Sequence, residues 1–305
     1  MNNKGFAVSA FMYMLLILGI ILILATLSIL SSRKMILDKQ KSVAMDNSLQ
    51  SRKKICKAIN GVKLLIPGTK YECQVNNTNK FNFYVLSVEG SKVNLIMDRN
   101  ICENGQAATA ENTCLIEWYA SSSDNSSGPV TALEGLHNAT KSWNNVKDIK
   151  LKYDDIQDNT STGYTGDTTY GYKGISITNG IGTITNKTEN STTTIGTSNE
   201  PLKARLPKIS EVYSEDNNDT THCHSNENTC PAWLTNGLAQ YSTYYPNNDY
   251  ILGINGYWTL SSNPGNSNNA NYVYNRGNVT DGNISYNNIN GLRPVITVLK
   301  SNLYN

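Results

Sequence analysis

"GYWTLSSNPGNSNNANYVYNRGNVTDGNISYNNINGLRPVITVL" (residues 256–299) is the stretch on which the reading of this fold depends. Aromatic and aliphatic residues alternate with polar ones in "GYWTLSS" (256–262), "NYVYNRGNVTDGNISYNN" (271–288) and "NGLRPVITVL" (290–299). A period of two is the spacing of a half-buried strand. Arg276-Gly277, Asp281-Gly282 and Asn290-Gly291 carry turn chemistry, so the stretch is read as a meander of short strands with aromatic faces.

Upstream, "FNFYVLSVEGSKVNLIM" reads as two strands, 81–88 and 91–97, joined at Glu89-Gly90. "PVTALEGLHNATKSW" (129–143) has helical spacing in Leu133, Leu136 and Trp143, and Pro129 suits its entry. Residues 154–200 are rich in Thr, Gly, Ser and Asn and are read as an insertion, with one hairpin turning at Asn179-Gly180. "PLKARLPKISEVYS" (201–214) suggests a lead-in strand and then a helix. "CPAWLTNGL" (230–238) suggests a second short helix anchored by Trp233 and Leu234.

The ordered set "ARLPKISEV", "PAWL", "GYWTLSS", "NYVYNRGNV" and "GLRPVITV", with the opening "FYVLSVEGSKVNLIMDRNI", resembles bacterial C-type-lectin-like domains related to the formylglycine-generating enzyme. The likeness covers about 66–300, with 154–200 outside it. It implies an α+β head over 66–305 with short antiparallel sheets and two or three helices. In such a head the first and last strands meet, so 81–88 pairs with 294–299, and long central loops form the ligand face. The Asn-rich loop 261–271 then becomes the candidate contact surface, through Asn263, Asn266, Asn269 and Asn271. The enzymes of this group hold copper through late cysteines, and no cysteine follows "GYWT" here. Nor do the calcium-binding triplets of lectins match, so no metal or cofactor is expected.

The N-terminus poses a separate question. "KGFAVSAFMYMLLILGIILILATLSIL" (4–30) contains 25 residues after Gly5 without a charge. As a helix that length covers a hydrocarbon core of roughly 30 Å. A lipid-embedded transmembrane helix is expected over 6–32, after a leader at 1–5. The short polar leader, the Lys-Gly pair, the Phe and the apolar run resemble type IV prepilins and the pseudopilins of type II secretion. That likeness implies cleavage between Gly5 and Phe6, methylation of Phe6, and pilin or pseudopilin subunits as partners. The Glu usual at the fifth mature position is Ala10 here, which points away from a bulk filament subunit.

Residues 33–63 carry nine Lys or Arg against Asp38 and Asp46, a balance of +7, and Lys4 adds one more. The chain total is +2, so residues from 64 onward carry −6. Met45, Leu49, Cys56 and Ile59 recur at helical steps, so 33–65 is read as a basic stalk helix. A basic neck beside a membrane span suits anionic headgroups better than nucleic acid, which is not expected as a partner. Lys and Arg counts near the span favour a cytoplasmic head. The six cysteines and the surface-like composition favour an extracytoplasmic one, and that is the expected side.

Six cysteines allow 15 pairings. Cys223 with Cys230 and Cys102 with Cys114 are the local candidates, and Cys56 with Cys73 would join stalk to head. "THCHSNENTC" also assembles His222, Cys223, His224 and Cys230, a zinc-like set that lacks the usual close Cys pair. "SEDNNDT" (214–220) offers oxygen ligands for calcium, or simply a solvated acidic loop. Arg293 is read as half of a buried ion pair and His137 as half-buried on its helix. No Ser-His-Asp order, nucleophile elbow or phosphate loop is present, and no catalytic residue is assigned. The sequence therefore suggests a pilin-like, membrane-anchored surface protein whose head binds a glycan or protein. A structural minor pseudopilin and an unprocessed signal-anchored adhesin are the alternatives.

Overall fold

The computed structural model describes residues 13–14, 16–18, 20–21, 33, 53–109, 114–121, 124–151, 172–186, 189–226, 228–235, 256–263, 265–286 and 290–305. The chain divides into two compact units, Met1–Lys53 and Lys54–Asn305. The described residues of the first unit have exposed side chains and are helical, apart from Lys53. Among the described residues no helix is long and apolar enough to cross a membrane. This overturns the expected transmembrane helix over 6–32 and, with it, the single-pass membrane location and the pilin-like anchoring. A span needs about 20 consecutive apolar helical residues, which no described helix provides. Gly5 and Phe6, the expected processing junction, lie outside the described residues.

The stalk helix expected over 33–65 also gives way in its C-terminal part. Cys56–Ala58 is a strand, β1. Cys56 and Ala58 are buried while Lys57 between them is exposed, which is the two-residue alternation of a strand. Ile59, placed on the same helical face as Cys56 by the spacing argument, is 47 % exposed.

The second unit is mostly β, which corrects the expected α+β, C-type-lectin-like class. Its main sheet holds β1, β2 (Lys70–Gln74), β3 (Lys80–Glu89), β4 (Lys92–Met97), β12 (Val295–Leu299) and β13 (Leu303–Tyr304), in the order β12-β4-β3-β2-β1-β13. β3 and β4 form the hairpin read at Glu89-Gly90, with Glu89 opposite Lys92 and Gly90 at φ +57°. Residues 295–299 do not pair with 81–88 as expected. They pair antiparallel with β4, Val295 opposite Ile96, because β2 already occupies the other edge of β3. β13 instead runs parallel to β1 at the far edge. Only four residue steps separate Leu299 from Leu303, at most about 14 Å of chain. The two outer strands are thus drawn together at that end, and the sheet curls into part of a barrel.

A second sheet holds β8 (Gly256–Ser262), β9 (Asn269–Tyr274), β10 (Asn278–Asn283) and β11 (Asn290–Gly291), in the order β10-β9-β8-β11. Of the three turns read here, only Arg276-Gly277 is one, with Gly277 at φ +79°. Asp281 and Gly282 lie inside β10, opposite Asn271 and Ala270. Asn290 and Gly291 form β11, parallel to β8. Both glycines serve close approach rather than reversal. A Cβ at Gly291 would stand 2.4 Å from Asn100 Nδ2, and one at Gly282 would stand 3.0 Å from the Tyr272 ring.

The third sheet, β5 (Gly174–Thr178), β6 (Ile181–Thr185) and β7 (Thr192–Ile195), falls within the supposed insertion. Asn179 (φ +54°) and Gly180 (φ +77°) make the two-residue turn between β5 and β6. Ile175, Ile177, Ile184 and Ile195 are buried in the main core, so the described part of 154–200 is integral to the fold. Residues 154–171 lie outside the described set.

Helix is sparse among the described residues of the second unit: α1 (Val130–Thr140), α2 (Ala232–Thr235) and single 3-10 turns. Pro129 stands at the N-cap of α1, which buries Ala132, Leu133, Leu136 and Ala139. The helix expected in 207–214 is one 3-10 turn (Ile209–Glu211), because Arg205 just before it bridges to Val295.

Two cores share the strands. Phe83, Val85, Val93, Leu95, Trp258 and Ile296 enter one, and Tyr84, Leu86, Ile96, Tyr257 and Val295 the other. Alternate residues of β3, β4, β8 and β12 therefore face opposite cores, and these strands are buried on both sides. In the larger core the Trp118 indole donates to the Thr259 carbonyl at 2.9 Å, and Trp258 donates to Ile116 at 2.8 Å.

Candidate functional site

The loop between β8 and β9 is held from within by a residue the sequence reading did not single out. Asn125 lies in a 3-10 turn (Asn125–Ser127) begun by Asp124, whose carboxylate accepts from the Ser126 amide at 2.8 Å. Gly128 follows at φ +76°, and α1 begins. The buried Asn125 Nδ2 donates to the carbonyls of Asn263, Asn266 and Asn269 at 2.9, 2.9 and 2.8 Å. Its backbone N–H reaches Ser267 O at 2.6 Å. One residue thus fixes four points within residues 263–269, three through its side-chain amide and one through its backbone N–H.

The four expected contact asparagines separate in role. Asn271 is fully buried and donates to Ser262 O at 3.0 Å. Asn269 is partly buried and donates to Asp281 Oδ2 at 2.6 Å. Asn263 and Asn266 accept from the amides of Gly265 and Asn268 at 2.7 and 3.0 Å. Only Asn266 of the four is exposed, together with Gly265 and Asn268. The end of β10 lies alongside, with Ile284 N donating to Asn268 O at 2.9 Å, and Ser285 and Tyr286 are exposed directly after it. Tyr286 is 53 % exposed. The resulting face is rich in amides, is flanked by one aromatic ring, and has the Asp281 carboxylate engaged by Asn269 at its edge.

A dense set of ionisable side chains lies at the opposite end of this sheet, against the β9–β10 turn. Cys223 and Cys230 are joined, so neither is a free thiolate for zinc. The amides of Thr229 and Cys230 both donate to Gly277 O at 2.8 Å, and Val279 N donates to His224 O at 3.1 Å. His222 Nδ1 lies 2.7 Å from Asp219 Oδ2, and Thr221 Oγ1 donates to Asp219 Oδ1 at 2.6 Å. Burial opposes ionisation of Asp219. The Thr221 hydroxyl and amide together with the His222 ring outweigh it and hold the carboxyl at about 2, against an ordinary 3.8. His224 is buried, with Nδ1 2.7 Å from Ser214 O and Nε2 3.1 Å from Asp219 O. The 214–220 segment uses its oxygens internally, for example Asp216 Oδ1 accepting from Asn218 N at 3.0 Å. Among the described residues no three His, Cys, Asp or Glu side chains are placed to share a metal ion.

Cys102–Cys114 and Cys56–Cys73 are also disulfides. Arg293 is fully buried, but its guanidinium meets carbonyls rather than a carboxylate. Nε donates to Met97 O at 2.6 Å, the two Nη atoms to Leu234 O and Trp233 O, and the group lies 4.9 Å from the Tyr257 ring centroid. It therefore caps the carbonyl end of α2, and its partner is not the expected anion. Burial pushes the Tyr257 hydroxyl up to about 12, against the pull of Arg293. His137 is half-buried on α1, and desolvation lowers its pKa.

No protein-family model, curated protein or solved structure matches the chain.

Proposed function

We propose that this chain is a disulfide-stapled recognition module, and that the loop 263–269 with Tyr286 binds an uncharged, hydroxyl-rich ligand of the glycan class. The observation that carries this reading is the single buried amide of Asn125 holding the loop carbonyls in place. Ordering a loop before the ligand arrives removes an entropic cost from binding. The exposed groups are amides and one aromatic ring, which suit sugar hydroxyls and apolar sugar faces. Three disulfides fit an oxidising compartment.

The test is binding of the full chain to a panel of immobilised oligosaccharides and mucins, with Tyr286→Ala and Asn266→Ala/Asn268→Ala as variants. Saturable binding that each variant weakens about tenfold or more supports the reading. An absence of retention on every glycan, retention only on polypeptide, or equal binding by the variants overturns it.

A further inference from the structure

We propose that a second site, at the Cys102–Cys114 disulfide, binds a primary ammonium group carried on an aliphatic stem. A cavity of about 290 Å³ opens there, lined by Ile101, Glu103, Asn104, Leu115, Ile116 and Leu292 with the two cysteines. That volume lies at the lower limit for small-molecule sites, roughly 300–1,000 Å³, so it suits one side chain or a short amine rather than an extended ligand. Buried Ile101, Ile116 and Leu292 form the cavity floor behind the half-buried Leu115, and the rim is polar, with exposed Asn104 and the charged Glu103 at the mouth. No hydrogen bond or ion pair to another described side chain engages that carboxylate.

The site is rigid. Cys102 N donates to Gln106 O and Gly105 N to Cys102 O, both at 2.8 Å, and Gln106 N donates to Asn104 Oδ1 at 3.0 Å. Backbone bridges Ile101–Leu292 and Leu115–Gly291 fix the opposite wall. Helix α1 contributes Gly135 at its closest point. A Cβ there would stand 2.6 Å from Ile116 Cδ1, 3.0 Å from Glu103 Oε1 and 3.2 Å from Leu292 Cδ1. Glycine in a helix interior costs roughly 1 kcal/mol relative to alanine, and here it lets the Glu103 carboxylate lie against α1 at the cavity wall. The charge of the chain from residue 64 onward, −6, favours a cationic visitor over an anionic one. An ammonium donates up to three hydrogen bonds to acceptors such as the Glu103 and Asn104 oxygens, while its methylenes lie against the half-buried Leu115.

Such an ammonium can come from a free alkylamine or from a lysine side chain of a polypeptide. Isothermal calorimetry on the full chain separates these, with n-pentylamine, n-pentanol, Nα-acetyl-lysine methylamide and Nα-acetyl-norleucine methylamide as probes. Saturable binding of an ammonium probe, with the matched neutral probe at least tenfold weaker, supports the site. Preference for the lysine amide over pentylamine assigns a polypeptide source, and the converse a free amine. Glu103 is exposed, so Glu103→Gln leaves folding intact and lowers ammonium affinity at least tenfold; Leu115→Phe fills the cavity and abolishes binding. Absence of binding by either ammonium probe, equal binding of the neutral probes, or unchanged affinity in Glu103→Gln overturns the proposal. Glycan retention at the 263–269 face is unaffected by Glu103→Gln, so the two sites fail separately.

Discussion

Arg205 and Glu211 face each other through a two-point contact inside the protein, Nη1 to Oε2 at 2.6 Å and Nη2 to Oε1 at 2.5 Å. Glu211 Oε2 also accepts from the Lys208 amide at 2.9 Å. Burial pushes the Glu211 carboxyl up, but Arg205 and Lys208 outweigh it, so its pKa is lowered from 4.5. The pair's contribution is therefore complete above the unfolded value and fades as pH falls below it. Removing one partner strands a buried charge, which costs about 3–5 kcal/mol. Glu211→Gln is expected to show a loss of that size in urea unfolding at pH 7. Replacing both residues, as in Arg205→Met/Glu211→Leu, recovers most of it; a double variant as unstable as the single one refutes the stranded-charge account. Asn125→Ala acts at the same scale but locally. It is expected to cost about 1–3 kcal/mol and to speed hydrogen exchange at Gly265 and Asn268 while leaving β3 and β4 protected.

The segment from Ser214 to Cys230 behaves as one element, closed by the Cys223–Cys230 bond and centred on Asp219. Because the Asp219 carboxyl sits at about 2, its stabilisation of this loop is fully present above about pH 4 and is lost as pH falls from 3.8 towards 2. Hydrogen exchange of the Thr221 amide, which donates to Asp219 Oδ1 at 2.8 Å, should accelerate across that window in the wild type. In Asp219→Asn the exchange should already be fast at neutral pH and lose the window; a wild-type window that persists in the variant contradicts the assignment. Glycine shows how much of such elements was legible beforehand. Gly90, Gly180 and Gly277 mark reversals that the sequence reading located, because each needs positive φ. Gly282 and Gly291 were read the same way, yet they make room for Tyr272 and Asn100, contacts that no local pattern discloses. The disulfide partners were legible by proximity along the chain. Asn125 was not: it sits in a Ser-rich stretch with no periodicity, and its partners lie more than 130 positions away.

At the scale of the second unit, the shared strands decide how it unfolds. β3, β4, β8 and β12 send alternate residues into two cores, so neither core can open while the other keeps its strands. β1 and β13 close the far edge of the main sheet, and Cys56–Cys73 lies across β1 and β2 at directly opposed positions. A crosslink closing 17 residues contributes about 3 kcal/mol, and those closing 12 and 7 residues slightly less. Domain stability is typically about 5–15 kcal/mol, so the three together are comparable to the whole. Oxidised protein should therefore unfold in one cooperative step. Trp118, Trp143 and Trp258 in the larger core should report the same midpoint as Trp233 against the smaller one. Cys56→Ser/Cys73→Ser should lower that midpoint by several degrees and keep a single transition. Full reduction should bring most of the unit to an unfolded state near physiological temperature. Paired calorimetry and near-ultraviolet circular dichroism test this. Two separated transitions in the oxidised protein would show that the cores melt independently, and a reduced protein as stable as the oxidised one would remove the oxidising compartment from the functional argument.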